Sequence, residues 1–277
     1  MKMLNFEFKE KYDINDLLAI IKILRSENGC PWDKVQTHES IRTDLIEEAY
    51  EVCEGIDCNS PEMLREELGD LLLQIAFHSA IETELSNFTF DDVCNDICQK
   101  LIYRHPHVFG EVKVNDCDDV LKNWDALKKE SKKQETFADT LESVPKTFPA
   151  LLRGEKVCKR AARAGLPINI AKEFADRIRA GLDRLEANNF DSDNVQNQHL
   201  LGDLLLSFCN LDRILKVDGE KALTYSTNNF IILFRTLEKE LLNKKADCGA
   251  SDKLSDEELQ GMAEKVFGGH DVTSIDR

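Results

Sequence analysis

Apolar residues recur along this chain every three or four positions. Leu17, Leu18, Ile21 and Leu24 make one such stripe, and Leu204, Leu205, Phe208, Leu211 and Leu215 make another. That period lines up side chains on one face of a helix. Strand-like alternation bounded by turn residues is scarce, and so are the breakers, with 6 prolines and 13 glycines in 277 residues. The pattern predicts an all-α protein.

One helical phrase occurs twice. ELGDLLLQ at 67–74 returns as LLGDLLLS at 200–207, which sets Asp70 and Asp203 133 positions apart, close to half the chain. An internal duplication of this kind predicts two tandem helical bundles. Between them, KKESKKQETFADTLESVPKTFPALL (128–152) runs from dense charge into Pro145 and Pro149, the marks of a connector. The expected division is a first domain over 1–135, a linker over 136–150, a second domain over 151–250 and a polar tail over 251–277.

Charge narrows the partners. A formal net charge of −16 opposes binding to a nucleic-acid polymer, which wants a basic surface. It leaves room for a small phosphorylated ligand that arrives with a divalent metal. No apolar run approaches the roughly 20 residues of a membrane span. The opening MKMLNFEFKEKYDIN mixes charges throughout and has no apolar leader core, so a soluble, cytoplasmic protein is expected. The nine cysteines include no CxxC pair; Cys94 and Cys98 are four apart and Cys53 and Cys58 five apart. Neither spacing suggests zinc, and reduced cysteines serving as small core residues are expected.

The candidate chemistry lies in IEEAYE (46–51) and ELGD (67–70). On a helix, Glu48 and Glu51 project from one face, with Glu47 on the flank. Glu67 and Asp70, at i and i+3, share a face of the next helix. The loop around Asp57-Cys58-Asn59-Ser60-Pro61 makes the two helices antiparallel neighbours, so the acidic faces converge. A solvated surface is the plain alternative. Against it, Asp70 sits among Leu68, Leu71, Leu72, Leu73, Ile75, Ala76 and Phe77, a helix apolar nearly all round and expected to be buried. Gathered carboxylates there repel one another and are costly to desolvate unless paired or metal-bound. A hard divalent cation relieves both costs, and all-oxygen ligands favour Mg²⁺, with Mn²⁺ possible, over zinc. A di-iron bundle site is the competing metal chemistry, but it uses Glu-x-x-His pairs, and neither helix has one.

EExxE followed by ExxD resembles the signature of the all-α nucleoside triphosphate pyrophosphohydrolases, and the wider chain resembles their two-domain MazG branch. ENGCPWDKVQTHES (27–40), KLIYRHPHVFGE (100–111), NWDALKKE (123–130) and VPKTFPALLRGEKVCKRAA (144–162) carry the rest of the likeness. The resemblance implies helical bundles that each pair with their copy in a homodimer or higher homo-oligomer. It implies a metal site facing a nucleotide cleft, and hydrolysis of ATP and other nucleoside triphosphates to monophosphate and pyrophosphate as house-cleaning of nucleotide pools. By motif position, Glu48, Glu51, Glu67 and Asp70 would hold Mg²⁺, with Glu47 an outer ligand or the base for the attacking water. Lys100 and Arg104 occupy the family's basic positions; the alternative for both is ordinary surface charge. Trp32 either stacks on a base or anchors its loop, with packing favoured. His38 and the pair His105 and His107 divide the same way between ligand contact and packing. Trp124 is assigned to the core.

The second copy keeps Asp203 but has Leu200 where the first acid of ExxD should stand. Its counterpart helix, KEFADRIRAGLDRLEA (172–187), has no adjacent acid pair, and NNFIILF (228–234) puts Asn229 at the lysine position. One carboxylate does not hold Mg²⁺ tightly, so this copy is expected to be catalytically dead and kept for dimerisation or regulation. Arg177, Arg179 or Arg184 is expected to pair with Asp203. Two rival readings stand beside the enzyme: a scaffold or nucleotide sensor without turnover, and a narrow dUTP- or dCTP-type pyrophosphatase.

Overall fold

A computed structural model describes residues 6–131, 136–191, 195–247 and 254–267. All regular elements among them are helical. The chain divides into two compact units, Met1–Ser131 and Lys132–Arg277.

The first unit contains α1 (Ile14–Leu24), α2 (Pro31–Lys34), α3 (Arg42–Asp57), α4 (Pro61–Glu84), α5 (Phe90–Arg104), α6 (Pro106–Phe109) and α7 (Cys117–Ser131). Local chemistry sets several boundaries. Asp13 caps α1 and Thr89 caps α5, each in a reciprocal box with an aspartate three residues on, which satisfies otherwise orphaned backbone donors. The α3–α4 turn is three residues long: Asn59 adopts φ 51°, which asparagine tolerates better than most residues, and Ser60 accepts from the Met63 amide ahead of Pro61. Gly55 lets the hairpin close. A Cβ there would lie 3.0 Å from both Cα and N of Leu64.

The core joins Ile21 of α1, Ile41, and Ala76, Phe77 and Ile81 of α4, with Leu17, Leu18, Leu73, Ala80 and Phe90 packed around them. It surrounds the C-terminal half of α4. The N-terminal half, which carries ELGD, departs from the expectation of full burial: Leu68 is 48% exposed and Leu72 36%. Length explains the difference. With 24 residues, α4 runs about 36 Å, whereas the 11 residues of α1 span about 16 Å at 1.5 Å per residue. Within one chain, α1 covers only part of that helix.

The second unit contains α8 (Phe137–Glu142), α9 (Ala150–Arg163), α10 (Ala171–Ala187), α11 (Val195–Leu215), α12 (Gly219–Asp247) and α13 (Asp256–Phe267). The hairpin of α10 and α11 packs against α9, and α13 against α12. Its buried side chains include Phe174, Ile178, Leu200, Leu204 and Leu237. Within the expected linker, Thr136 caps α8 in another reciprocal box. Within the expected tail, Met262 of α13 is buried and Glu258 meets Lys245 of α12 at 2.7 Å; 251–253 and 268–277 fall outside the described residues. The cysteines correct the sequence reading. Cys158 and Cys209 are buried, but Cys53, Cys94, Cys98 and Cys117, on helix faces turned from the core, and Cys58, in the α3–α4 turn, are exposed.

Candidate metal centre

Two helices build the acidic site. Glu48 comes from α3, Glu67 and Asp70 come from α4, and one carboxylate oxygen of each lies within 4.8 Å of the others. The close α3–α4 approach at Gly55, one to two turns further along α3, holds the two acidic faces together. Glu48 and Glu67 are half-buried. Partial burial, then the negative charges of Glu51 and Asp70, holds the Glu48 carboxyl above its ordinary range. Partial burial, then Glu51, does the same to Glu67. The charge of Glu51 acts on both, so its carboxylate stands beside the pair although its residue is exposed. Glu47 is exposed on the flank of α3.

The donor set suits a hard divalent cation. Mg²⁺ binds oxygen at about 2.1 Å in an octahedron, which places coordinating oxygens roughly 3–4 Å apart. The three oxygens lie within 4.8 Å of one another, a distance that modest side-chain rotation brings into that range. A cation there would also remove the mutual repulsion that raises Glu48 and Glu67.

The other sequence candidates lie in different surroundings. Lys100 is exposed on α5. Arg104, four residues on, is buried, and its guanidinium lies 5.4 Å over the ring of Trp124. Lys100 and Arg104 therefore do not share one open basic face. Trp124 is half-buried, with the edge of His105 4.9 Å from its centroid, outside the apolar core to which it was assigned. His105 bonds the Leu101 carbonyl at 2.6 Å.

Trp32 is 62% exposed, against the expectation that it packs. Its loop is anchored by Arg25, a residue that sequence reasoning passed over. Arg25 is buried and forks onto Glu84 of α4 at 2.7 and 2.8 Å. It also donates to the carbonyls of Asp33 and Gln36. The available signal was a basic residue at the C-terminus of an amphipathic helix. His38 also turns to α4. Its Nε2 meets Glu82 at 2.6 Å and its Nδ1 meets His78 Nδ1 at 2.7 Å. Burial and the neighbouring His38 hold His78 below its usual range. Glu82 is twelve positions beyond Asp70, about 18 Å along the helix axis, so His38 serves as a packed polar link away from the acids.

In the second unit, Asp203 is exposed. No ion pair among the described residues joins it to Arg177, Arg179 or Arg184; Arg179 pairs with Asp176 at 2.8 Å instead. The expected pairing is not made, because the i,i+3 carboxylate is nearer to hand.

Comparison with known proteins places this arrangement. Residues 36–109, which contain all five acids, match the MazG nucleotide pyrophosphohydrolase domain. A Thermotoga maritima protein named nucleoside triphosphate pyrophosphohydrolase/pyrophosphatase MazG is 37% identical over 257 residues, covering 93% of this chain and 96% of that one. The chain belongs to the MazG family. An Escherichia coli nucleoside triphosphate pyrophosphohydrolase is also 37% identical, across 82% of this chain and 87% of its own length. Bacillus subtilis YabN, named as uncharacterized, is 38% identical over 229 residues, and there the match spans 47% of the longer protein. For this MazG-family chain, the first unit gathers the acids and the second does not.

Proposed function

We propose that this MazG-family protein hydrolyses nucleoside triphosphates, ATP and other ribo- and deoxyribonucleotides, to the monophosphate and pyrophosphate at the first-unit acid cluster. The convergence of Glu48, Glu67 and Asp70 from two helices within 4.8 Å carries the reading. The pyrophosphohydrolase names of the Thermotoga maritima and Escherichia coli relatives point to the same reaction.

Glu48, Glu67 and Asp70, with Glu51 beside them, would hold Mg²⁺. When bound, the ion supplies charge neutralisation at the phosphates and a coordinated water of lowered pKa. Glu47, exposed beside Glu48, takes the proton of the water that attacks the α-phosphorus. The bond to the bridging oxygen then breaks, and the β- and γ-phosphates leave together as pyrophosphate. Lys100, exposed on α5, offsets the triphosphate charge. The exposed apolar positions Leu68, Leu72 and Ile75 on α4, with Ile46 and Tyr50 on α3, suit coverage by a second copy, which makes the working protein a homodimer of house-cleaning type in the cytoplasm.

Pyrophosphate release from ATP with and without Mg²⁺ tests the proposal. Release that requires the ion and disappears in Glu48→Gln and Asp70→Asn supports it; release that persists in both variants ends it. ATP binding without turnover in the native protein would make it a sensor. A panel of ribo- and deoxyribonucleotides separates broad house-cleaning from a dUTP- or dCTP-type specificity.

A further inference from the structure

The second unit has a cavity of about 570 Å³ between α10 and α11, lined by Arg177, Arg184, Asp203, Asn210 and the apolar wall of Phe174, Leu200 and Leu204. Small-molecule sites occupy roughly 300–1,000 Å³. Its place in the fold is informative. Counting 133 positions from the first-unit residues Asp44, Glu48, Glu51 and Glu67 lands on Arg177, Gly181, Arg184 and Leu200. The packing agrees with that register: Gly181 lies against Leu204 and Leu200, opposite Asp203, as Glu48 lies opposite Glu67 and Asp70. The cavity is thus the counterpart of the acid cluster, with Glu51 and the neighbouring Asp44 exchanged for guanidinium groups, Glu48 for a glycine and Glu67 for a leucine.

The two cations are uncommitted. Arg177 rests on the Phe174 ring at 5.5 Å, and neither Arg177 nor Arg184 forms an ion pair among the described residues. Seven positions apart on α10, they are separated by about 10 Å along the axis, a span that two long side chains close on a di- or triphosphate. Guanidinium forks suit phosphate oxygens. Asp203 is the one carboxylate among the described residues that line the cavity, and two arginines outweigh it. Deeper in, Asn210 is 6% exposed. Its Nδ2 bonds Cys158 Sγ and the Leu206 carbonyl, while its Oδ1 has no partner. A buried acceptor left this way is costly unless a donor reaches it. A ligand hydroxyl or amino group beyond the phosphates would fill that role, and the apolar wall would receive a base.

We infer that this cavity binds an oligophosphate anion of the nucleoside triphosphate class without a metal ion. The proposal goes beyond the hydrolytic reading of the first unit and stands independently of it. The full chain in excess EDTA isolates the second site, because the acid cluster repels a triphosphate when no cation is present. Equilibrium dialysis with ATP, pyrophosphate and AMP as probes should show one saturable site per chain for ATP. Pyrophosphate should compete, and AMP should bind at least about tenfold more weakly. Tighter binding of ATP than of pyrophosphate identifies a nucleotide as the ligand; equal binding identifies the free oligophosphate. Arg177→Gln with Arg184→Gln should weaken ATP at least about tenfold at unchanged helical circular dichroism. Both arginines are exposed, so the fold does not depend on them. Arg184→Lys should recover part of the loss, and Glu48→Gln with Asp70→Asn should leave EDTA binding as it was. Absence of saturable binding in EDTA overturns the inference. So does AMP binding as tight as ATP, or ATP binding that ignores the double arginine change. Pyrophosphate release in Mg²⁺ reports on the first unit separately, so either proposal can fail alone.

Discussion

The hairpin of α3 and α4 and the hairpin of α10 and α11 share Gly-Asp-Leu-Leu-Leu and the same register, yet their centres have opposite electrostatics. In the first, Glu48, Glu67 and Asp70 crowd together and hold two of their own carboxyls up. In the second, leucine and glycine occupy the equivalent places, Asp203 stands alone, and two arginines line the gap. The Gly-Asp-Leu-Leu-Leu helix builds the scaffold in both; the chemistry depends on a handful of positions around it. Leu200 is buried where Glu67 is half-exposed, so the lost acid became part of the packing. A duplicated hairpin can therefore keep its fold while its ligand preference reverses.

The sharpest break between the hairpins is catalytic. Glu48→Gln or Asp70→Asn should lower pyrophosphate release by about 10²–10³-fold, the scale for removing one preorganised charge-stabilising contact. Asp203→Asn should change it less than about twofold in the same assay. Exchanging the key position comes next. Leu200→Glu buries a carboxylate without a partner and should cost about 3 kcal/mol in urea unfolding. The reverse change, Glu67→Leu, relieves repulsion and should leave EDTA-treated protein at least as stable as before.

The glycines give a smaller contrast. Gly55→Ala would push a Cβ against the Leu64 backbone and should destabilise by about 1–3 kcal/mol. Gly69→Ala and Gly202→Ala meet nothing within 4 Å and should stabilise by about 0.5–1 kcal/mol through helix propensity. The smallest effect is the response to pH. Folding raises the Glu48 and Glu67 carboxyls, so the native state binds protons more readily than the unfolded chain. Stability in EDTA should then rise as pH falls from neutral through their raised range, and that increment should be lost again as pH rises and the protons leave. Thermal midpoints across that window check it, and Glu67→Gln should flatten the slope.

Much of the first unit was legible in advance because its signals are local. The 3.6-residue period gave helices, and the i,i+3 spacing of Glu67 and Asp70 put both on one face. A three-residue turn then made convergence with Glu48 nearly unavoidable. Residues whose roles depend on distant partners were not legible. Arg104 lies on Trp124, and Arg25 reaches fifty-nine positions to Glu84. His38 pairs with a histidine and a glutamate from the far half of α4, and Trp32 stays mostly exposed. The expectation that α4 is buried on all sides failed for a similar reason: composition reports how apolar a helix is, not how long its neighbours are.

By itself, then, the sequence determined the helical class, the duplication, the family and the acids that face one another. Those features follow from backbone geometry repeated every few residues, which does not depend on what packs nearby. Tertiary structure alone decided which half of α4 is covered, where each arginine spends its charge, and that the second hairpin lines a cavity with two guanidinium groups and an amide oxygen that, among the described residues, have no ion-pair or hydrogen-bond partner. These depend on helix lengths and docking across tens of residues, where one substitution such as Leu200 for an acid changes what the same fold can hold.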